Sequence, residues 1–198
     1  MSASRPHRKL VKHYHEPGDL HELTFSCYHQ LPLLTNDTWR EQLARCLDTA
    51  GEACEMLLAA FVFMPEHVHL LVVPTSPSPA IDRYLTRVKQ PFSAWVKGQL
   101  IEAKSTLLDR LTIRERPGKS SFRFWQEGPG YDRNLSTPSV IEAAIDYFHL
   151  NPVRRGLVER AVDWKWSSAS WYLLNPPRQH LPGLPRIHGL PVGCLDRV

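Results

Sequence analysis

Two histidines separated by one residue, His67-Val68-His69, stand in an apolar stretch that continues Leu70-Leu71-Val72-Val73. Alternate residues of a strand point to the same side, so both imidazoles project together while Val68 and Leu70 pack the other way. Paired imidazoles are half of a divalent-metal site. The chain has ten histidines, and a lone pair of this kind fits two hydrogen-bonded side chains on a sheet face equally well. A second pair, Tyr147 and Asn151, lies four residues apart in a stretch with helical periodicity, one side chain above the other on a single face. If that face covered the histidine strand, Asn151 could offer an amide oxygen to a metal while the Tyr147 hydroxyl reached a phosphate beside it. Taken singly, Tyr147 also suits an amphipathic core position, and Asn151 a helix C-cap before Pro152.

The elements around these residues read as a mixed domain. His21–Gln30 has the β-branched and aromatic content of a first strand, and Thr38–Ala50 carries Trp39, Leu43, Cys46, Leu47 and Ala50 on one helical stripe. Met56–Met64 is a continuous apolar run, as expected of a central strand covered on both faces. Pro65 interrupts it before the histidine strand, so the two form an antiparallel hairpin. Residues 79–100 are predicted helical, with a kink or restart at Pro91. Lys104–Ser121 has weak periodicity and reads as a partly helical connection or mobile loop, and Phe122–Gln126 as another strand. Thr137-Pro138 starts a helix that should end near Leu150. The order fits an α+β fold, a ferredoxin-like or RRM-like antiparallel sheet with helices packed on one face. That fold hosts many functions and supplies none by itself.

Charge is segregated along the chain although the net value is only +4. Residues 1–13 hold four basic side chains and no acid, and residues 14–82 two basic against ten acidic. The sign reverses over 83–133, with eleven basic and five acidic, and residues 151–198 carry seven against three. Such segregation favours a polyanion, because each neutralised phosphate releases counterions. The expected organisation is a basic arm over 1–19, one domain over 20–172 and a Pro-rich extension over 173–198. No apolar run approaches a membrane span, and the N-terminus lacks a signal-peptide core, which suggests a cytoplasmic protein. Cys27, Cys46, Cys54 and Cys194 form no C-x-x-C pair and suit small buried apolar positions in a reducing compartment. Trp125, Trp164, Trp166 and Trp171 suit core or cover positions better than stacking platforms.

Several ordered motifs carry a family resemblance. Phe63-Met64-Pro65-Glu66-His67-Val68-His69-Leu70-Leu71-Val72, then Phe124-Trp125-Gln126, Asp146-Tyr147-Phe148-His149-Leu150-Asn151-Pro152-Val153-Arg154-Arg155-Gly156-Leu157-Val158 and Trp166-Ser167-Ser168 together resemble the single-tyrosine His-hydrophobic-His transposases. The branch most similar is the one associated with repetitive extragenic palindromes, the IS200-like transposases. The resemblance spans roughly residues 20–172. It implies metal ligands at His67, His69 and Asn151, where related insertion-sequence transposases carry glutamine at the last position, and a nucleophile at Tyr147. It also implies Mg²⁺ or Mn²⁺ as cofactor and a single-stranded DNA hairpin as partner, with monomer and homodimer both open. The chain departs from the family pattern at Gly128-Pro129-Gly130 and in its long Pro-rich end.

The expected chemistry is cleavage and rejoining of single-stranded DNA through a 5′-phosphotyrosine. Candidate DNA contacts are Arg154 and Arg155, which follow the tyrosine helix, with Lys89, Arg123 and the N-terminal Arg8, Lys9 and Lys12. Two alternatives remain at this point: a hairpin-binding module without cleavage, and a nicking endonuclease of the replication or conjugation type. A hydrolytic metalloenzyme acting on a small substrate ranks behind both.

Overall fold

The structure is a computed structural model and describes residues 20–77, 79–128, 130–174, 181–192 and 194. Its elements in chain order are β1 (Leu20–Ser26), α1 (Asp37–Cys54), β2 (Met56–Phe63), β3 (His67–Pro74), α2 (Ile81–Glu102), α3 (Leu107–Leu111), β4 (Thr112–Arg116), β5 (Lys119–Phe122), β6 (Tyr131–Leu135), α4 (Pro138–Arg154) and α5 (Ala169–Leu173). Four strands make an antiparallel sheet in the order β2-β3-β1-β6, and β4 with β5 forms a separate hairpin. The mixed α+β architecture agrees with the sequence. No helix of the described residues is long and apolar enough to cross a membrane.

Alternation along the strands divides the core in two. Leu23, Phe25, Phe61, Phe63, Val68, Leu70 and Val72 face α1 and α2, meeting Leu43, Leu47, Tyr84, Val88 and Phe92. On the other side Leu20, Val62, Leu71, Val73 and Leu135 face α4 through Ile141, Ile145 and Phe148. Helices therefore cover both faces of the sheet, where the sequence reading put them on one. The reason lies in β2 and β3, which are buried on both sides and would leave a bare apolar face without α4.

Four further expectations are corrected. The apolar run of β2 forms an edge strand rather than a central one. Its outer side is covered by the chain at 166–168, where Phe63 N–H donates to Trp166 O (2.8 Å) and Ser168 N–H to Phe61 O (3.0 Å), so an apolar edge is not left open. The stretch Phe122–Gln126 is not a sheet strand: β5 ends at Phe122, and beyond it Trp125 makes only an isolated bridge to Cys27. Phe124 and Trp125 are consecutive and both buried, which breaks strand alternation. The fourth strand is β6, and the segment read as a partly helical connection or mobile loop holds the short helix α3, as the first of these readings has it, and also the β4–β5 hairpin. Helix α2 continues through Pro91 without ending.

Helix α4 also runs further than predicted. It begins at Pro138 behind Thr137, as expected, but passes Asn151 and Pro152 to reach Arg154. Its end is a paired C-terminal motif: Leu157 N–H donates to Pro152 O (2.9 Å) and Gly156 N–H to Val153 O (2.9 Å). Gly156 has φ +66°, the left-handed conformation this motif requires. Asn151 is thus a helical residue and not the C-cap.

Candidate functional site

The histidines occupy the first turn-proximal positions of β3. The hairpin turn closes with Met64 N–H donating to His67 O at 2.9 Å, and β3 then pairs with β1 so that Thr24 lies opposite His69 and Ser26 opposite His67. Both imidazoles emerge on the α4 side. His67 Nε2 and His69 Nε2 are 3.0 Å apart. Asn151, 6% exposed, brings its side-chain amide within 3.3 Å of His69 Nε2. One turn earlier on α4, the Tyr147 ring stands edge-on to His69 with centroids 5.4 Å apart, and it remains 43% exposed. The strand and helix pairs, 78 or more residues apart in the chain, therefore share one place.

Each imidazole is held by its other nitrogen. His67 Nδ1 lies 2.9 Å from Glu66 Oε1, and His69 Nδ1 lies 2.7 Å from Thr24 Oγ1. These contacts turn the two Nε2 atoms toward each other, and that of His69 toward Asn151 as well. A carboxylate or hydroxyl on the second nitrogen fixes the tautomer and ring orientation of a metal-binding histidine. Burial lowers the pKa of His67, outweighing the upward pull of Glu66, and lowers His69 to about 3. Both rings are accordingly neutral at pH 7 and carry the lone pair a metal requires. Burial pushes the Glu66 carboxyl up, but Arg155 and His67 together pull it below its ordinary value.

The predicted DNA contacts divide. Arg154 places its guanidinium over the Tyr147 ring, 5.6 Å from the centroid, and Arg155 hydrogen-bonds Glu66, so both border the site. Lys89 lies on the opposite face of β1, with its ammonium 4.8 Å from the Phe25 ring centroid. Arg123 is held by Glu115 (3.1 Å) and Glu127 (2.6 Å) beside the β4–β5 hairpin. Arg8, Lys9 and Lys12 lie outside the described residues. Trp125 and Trp166 are buried, while Trp164 and Trp171 are half-buried. The sequence reading missed Thr24 and the support given by Glu66. Glu66 could have been found from its place directly before His67; Thr24 becomes visible only through strand register.

The chain matches the family described as "Transposase IS200 like" over residues 21–113, a span that contains both histidines and ends before α4. It is 29% identical over 110 residues to a REP-associated tyrosine transposase of Haemophilus influenzae, the match covering 55% of this chain and 56% of that protein. The chain thus spans little more than half the length of that relative. Among solved structures, a REP-associated tyrosine transposase bound to a REP hairpin superposes with a TM-score of 0.58 at 18% identity, covering 85% of this chain and 82% of the other. That likeness is one of fold. Over residues 21–113, and in the order of its motifs, this chain is similar to the IS200-like transposases.

Proposed function

We propose that the protein is a metal-dependent transposase that cleaves and rejoins single-stranded DNA at hairpin-type sites through a 5′-phosphotyrosine on Tyr147. The observation that carries the reading is the convergence of His67 Nε2, His69 Nε2 and the Asn151 amide beside an exposed tyrosine ring. Among the described residues no group of three His, Cys, Asp or Glu converges, so the third donor at this point would be the Asn151 amide, whose nitrogen faces His69 Nε2 and whose oxygen would face a metal once the amide is flipped. Of Mg²⁺ and Mn²⁺, the second fits this donor set better, because two imidazoles suit a borderline ion and only the amide oxygen suits a hard one. When bound, that ion supplies Lewis-acid charge to a non-bridging oxygen of the scissile phosphate.

The residues of the chain do the rest. Thr24 and Glu66 accept the Nδ1 protons and keep both Nε2 lone pairs inward. Arg154 and Arg155 offer positive charge at the rim, where a phosphodiester can pair with a guanidinium. The Tyr147 oxygen attacks phosphorus, its O–P bond forming as the bond to the 3′-oxygen breaks; the phenolic proton is lost and the 3′-oxygen leaves as a hydroxyl. The ester retained on Tyr147 lets another 3′-hydroxyl reverse the step, so strand rejoining needs no ATP. Recognition of a folded hairpin is supported by the hairpin-bound relative of similar fold.

The test is a denaturing gel of the purified protein with labelled single-stranded hairpins and Mn²⁺. A covalent adduct that disappears in Tyr147→Phe, in His67→Ala and on chelation is the expected result. Hairpin binding that survives all three treatments, with no adduct from the wild type, would turn the reading into that of a binding module.

A further inference from the structure

His149 follows Tyr147 by two residues, so about 200° of helix rotation turns it away from the histidine pair. It is 2% exposed, and its Nε2 lies 2.9 Å from Ser168 Oγ. Ser168 is fully buried and ends the Trp166-Ser167-Ser168 motif, which the proposed chemistry leaves without a task. Its hydroxyl receives Phe61 N–H at 3.0 Å and lies 3.2 Å from Phe61 O. A hydroxyl has one hydrogen and two lone pairs. With its hydrogen given to Phe61 O and one lone pair taken by Phe61 N–H, the other lone pair accepts from His149 Nε2–H. That assignment makes His149 a neutral donor and leaves its Nδ1 buried without a partner. Burial keeps the ring neutral, lowering its pKa to about 4.

A leucine here would pack without an orphaned nitrogen; what the histidine adds is a directed bond. The remaining grip on α4 from this side is apolar, through Ile141, Ile145 and Phe148, and apolar contact resists separation more than rotation. Phe61 belongs to β2, whose next residue Val62 stands opposite His69 in the sheet. The path His149–Ser168–Phe61 therefore ties one side of α4 to the strand neighbouring the histidine that Tyr147 leans on from the other side. Tyr172 adds to the same anchorage, its hydroxyl donating to Ala59 O at 2.9 Å and its ring 5.4 Å from that of His149.

We propose that His149 and Ser168 form a clip that sets the rotation of α4 about its axis and so holds Tyr147 against His69, as positioning residues for the tyrosine. The rate readout rests on the transposase reading; the geometric readout does not.

The experiment uses His149→Leu, which keeps bulk and loses the donor, His149→Gln, which keeps an N–H at similar reach, and Ser168→Ala, which removes a single oxygen. Adduct formation is followed at saturating hairpin and Mn²⁺, alongside hairpin affinity, thermal stability and the NMR contact between the Tyr147 and His69 rings. The leucine and alanine variants should bind hairpin within about twofold of wild type, form adduct at least about tenfold more slowly, and lose the ring contact; the glutamine variant should recover both to within about threefold. If the leucine variant proves unstable, the alanine variant carries the comparison. Wild-type rates and an intact ring contact in folded leucine and alanine variants would overturn the proposal, as would equal loss in leucine and glutamine. A wild type that forms no adduct with any hairpin would sink the transposase reading, and the ring contact would still decide the clip.

Discussion

The two faces of the central sheet are built from the same strands and differ in what they spend their side chains on. Toward α1 and α2, β1 and β3 contribute Leu23, Phe25, Val68, Leu70 and Val72, and the one buried polar residue they add is His21 at the far end, bonded to Asp132. Toward α4 the face is apolar only at one end, with Leu20, Leu71 and Val73, and polar at the other, with Thr24, His67 and His69. Both Nδ1 atoms there have partners, whereas the two Nε2 lone pairs face each other, a cost that a bound cation would relieve. The comparison teaches that one face can carry the stability of the domain while the other holds groups whose desolvation is costly, a division made possible by the two-residue period of a strand.

Deleting bulk from the apolar face should have the largest effect on folding. Leu70 is fully buried on the central strand β3, and Leu70→Ala should cost about 2–5 kcal/mol, measured by urea unfolding at pH 7. A loss below about 1 kcal/mol would mean that this face is not the main support, because such a site cannot lose a side chain so cheaply unless it collapses.

Acid should act on the other face. The folded-state pKa of His149 is depressed from 6.5 to about 4, and that of His69 to about 3. In that window the unfolded chain binds protons the folded one refuses, so stability is intact above pH 6.5 and is lost as the pH falls toward 4. His149 alone would account for about 3 kcal/mol of that loss. His149→Gln should flatten the acid limb of a stability-against-pH curve by about that amount, whereas Leu70→Ala should shift the whole curve without changing its slope. Parallel curves for wild type and the glutamine variant would contradict the buried neutral ring.

What could be read from the chain follows the same division. His67, His69, Tyr147 and Asn151 stand in short motifs whose spacing matches strand and helix periods, so their faces were legible before any fold was known. Strand β6 was not: Tyr131–Leu135 carries the adjacent charges Asp132 and Arg133 and a single fully buried residue, Leu135, and pairs on one side only. The partner of an edge strand lies in β1, more than a hundred residues away, and no local pattern announces it. Pro152 misled in the other direction. It suggests a helix end at Leu150, yet the Gly156 motif closes the helix later and carries Arg154 and Arg155 to the site. Thr24 was invisible for the reason β6 was, since its role exists only once β1 is aligned with β3.

Thr24 offers a smaller test of the polar end. Thr24→Val keeps the shape and removes the hydroxyl 2.7 Å from His69 Nδ1. Loss of such a supporting partner should weaken Mn²⁺ binding by about 10–100-fold, read by calorimetry, with folding stability changed far less than by Leu70→Ala. An unchanged affinity would show that the ring is oriented by packing on Phe148, whose ring stacks on His69 with centroids 5.1 Å apart.

The least effect should come from the rim. Arg154 is exposed, and its guanidinium covers the Tyr147 ring without entering the buried part of the site. An exposed cation contributes through counterion release, so Arg154→Ala should weaken hairpin binding modestly and lower the slope of log affinity against log salt by about 1. The stacking adds a second expectation: the same variant should free the Tyr147 ring, and Arg154→Lys, which keeps the charge but not the planar group, should restore the salt slope alone. If lysine restored both the slope and the adduct rate, Arg154 would act only as a charge, and the polar end of this face would stop at Tyr147.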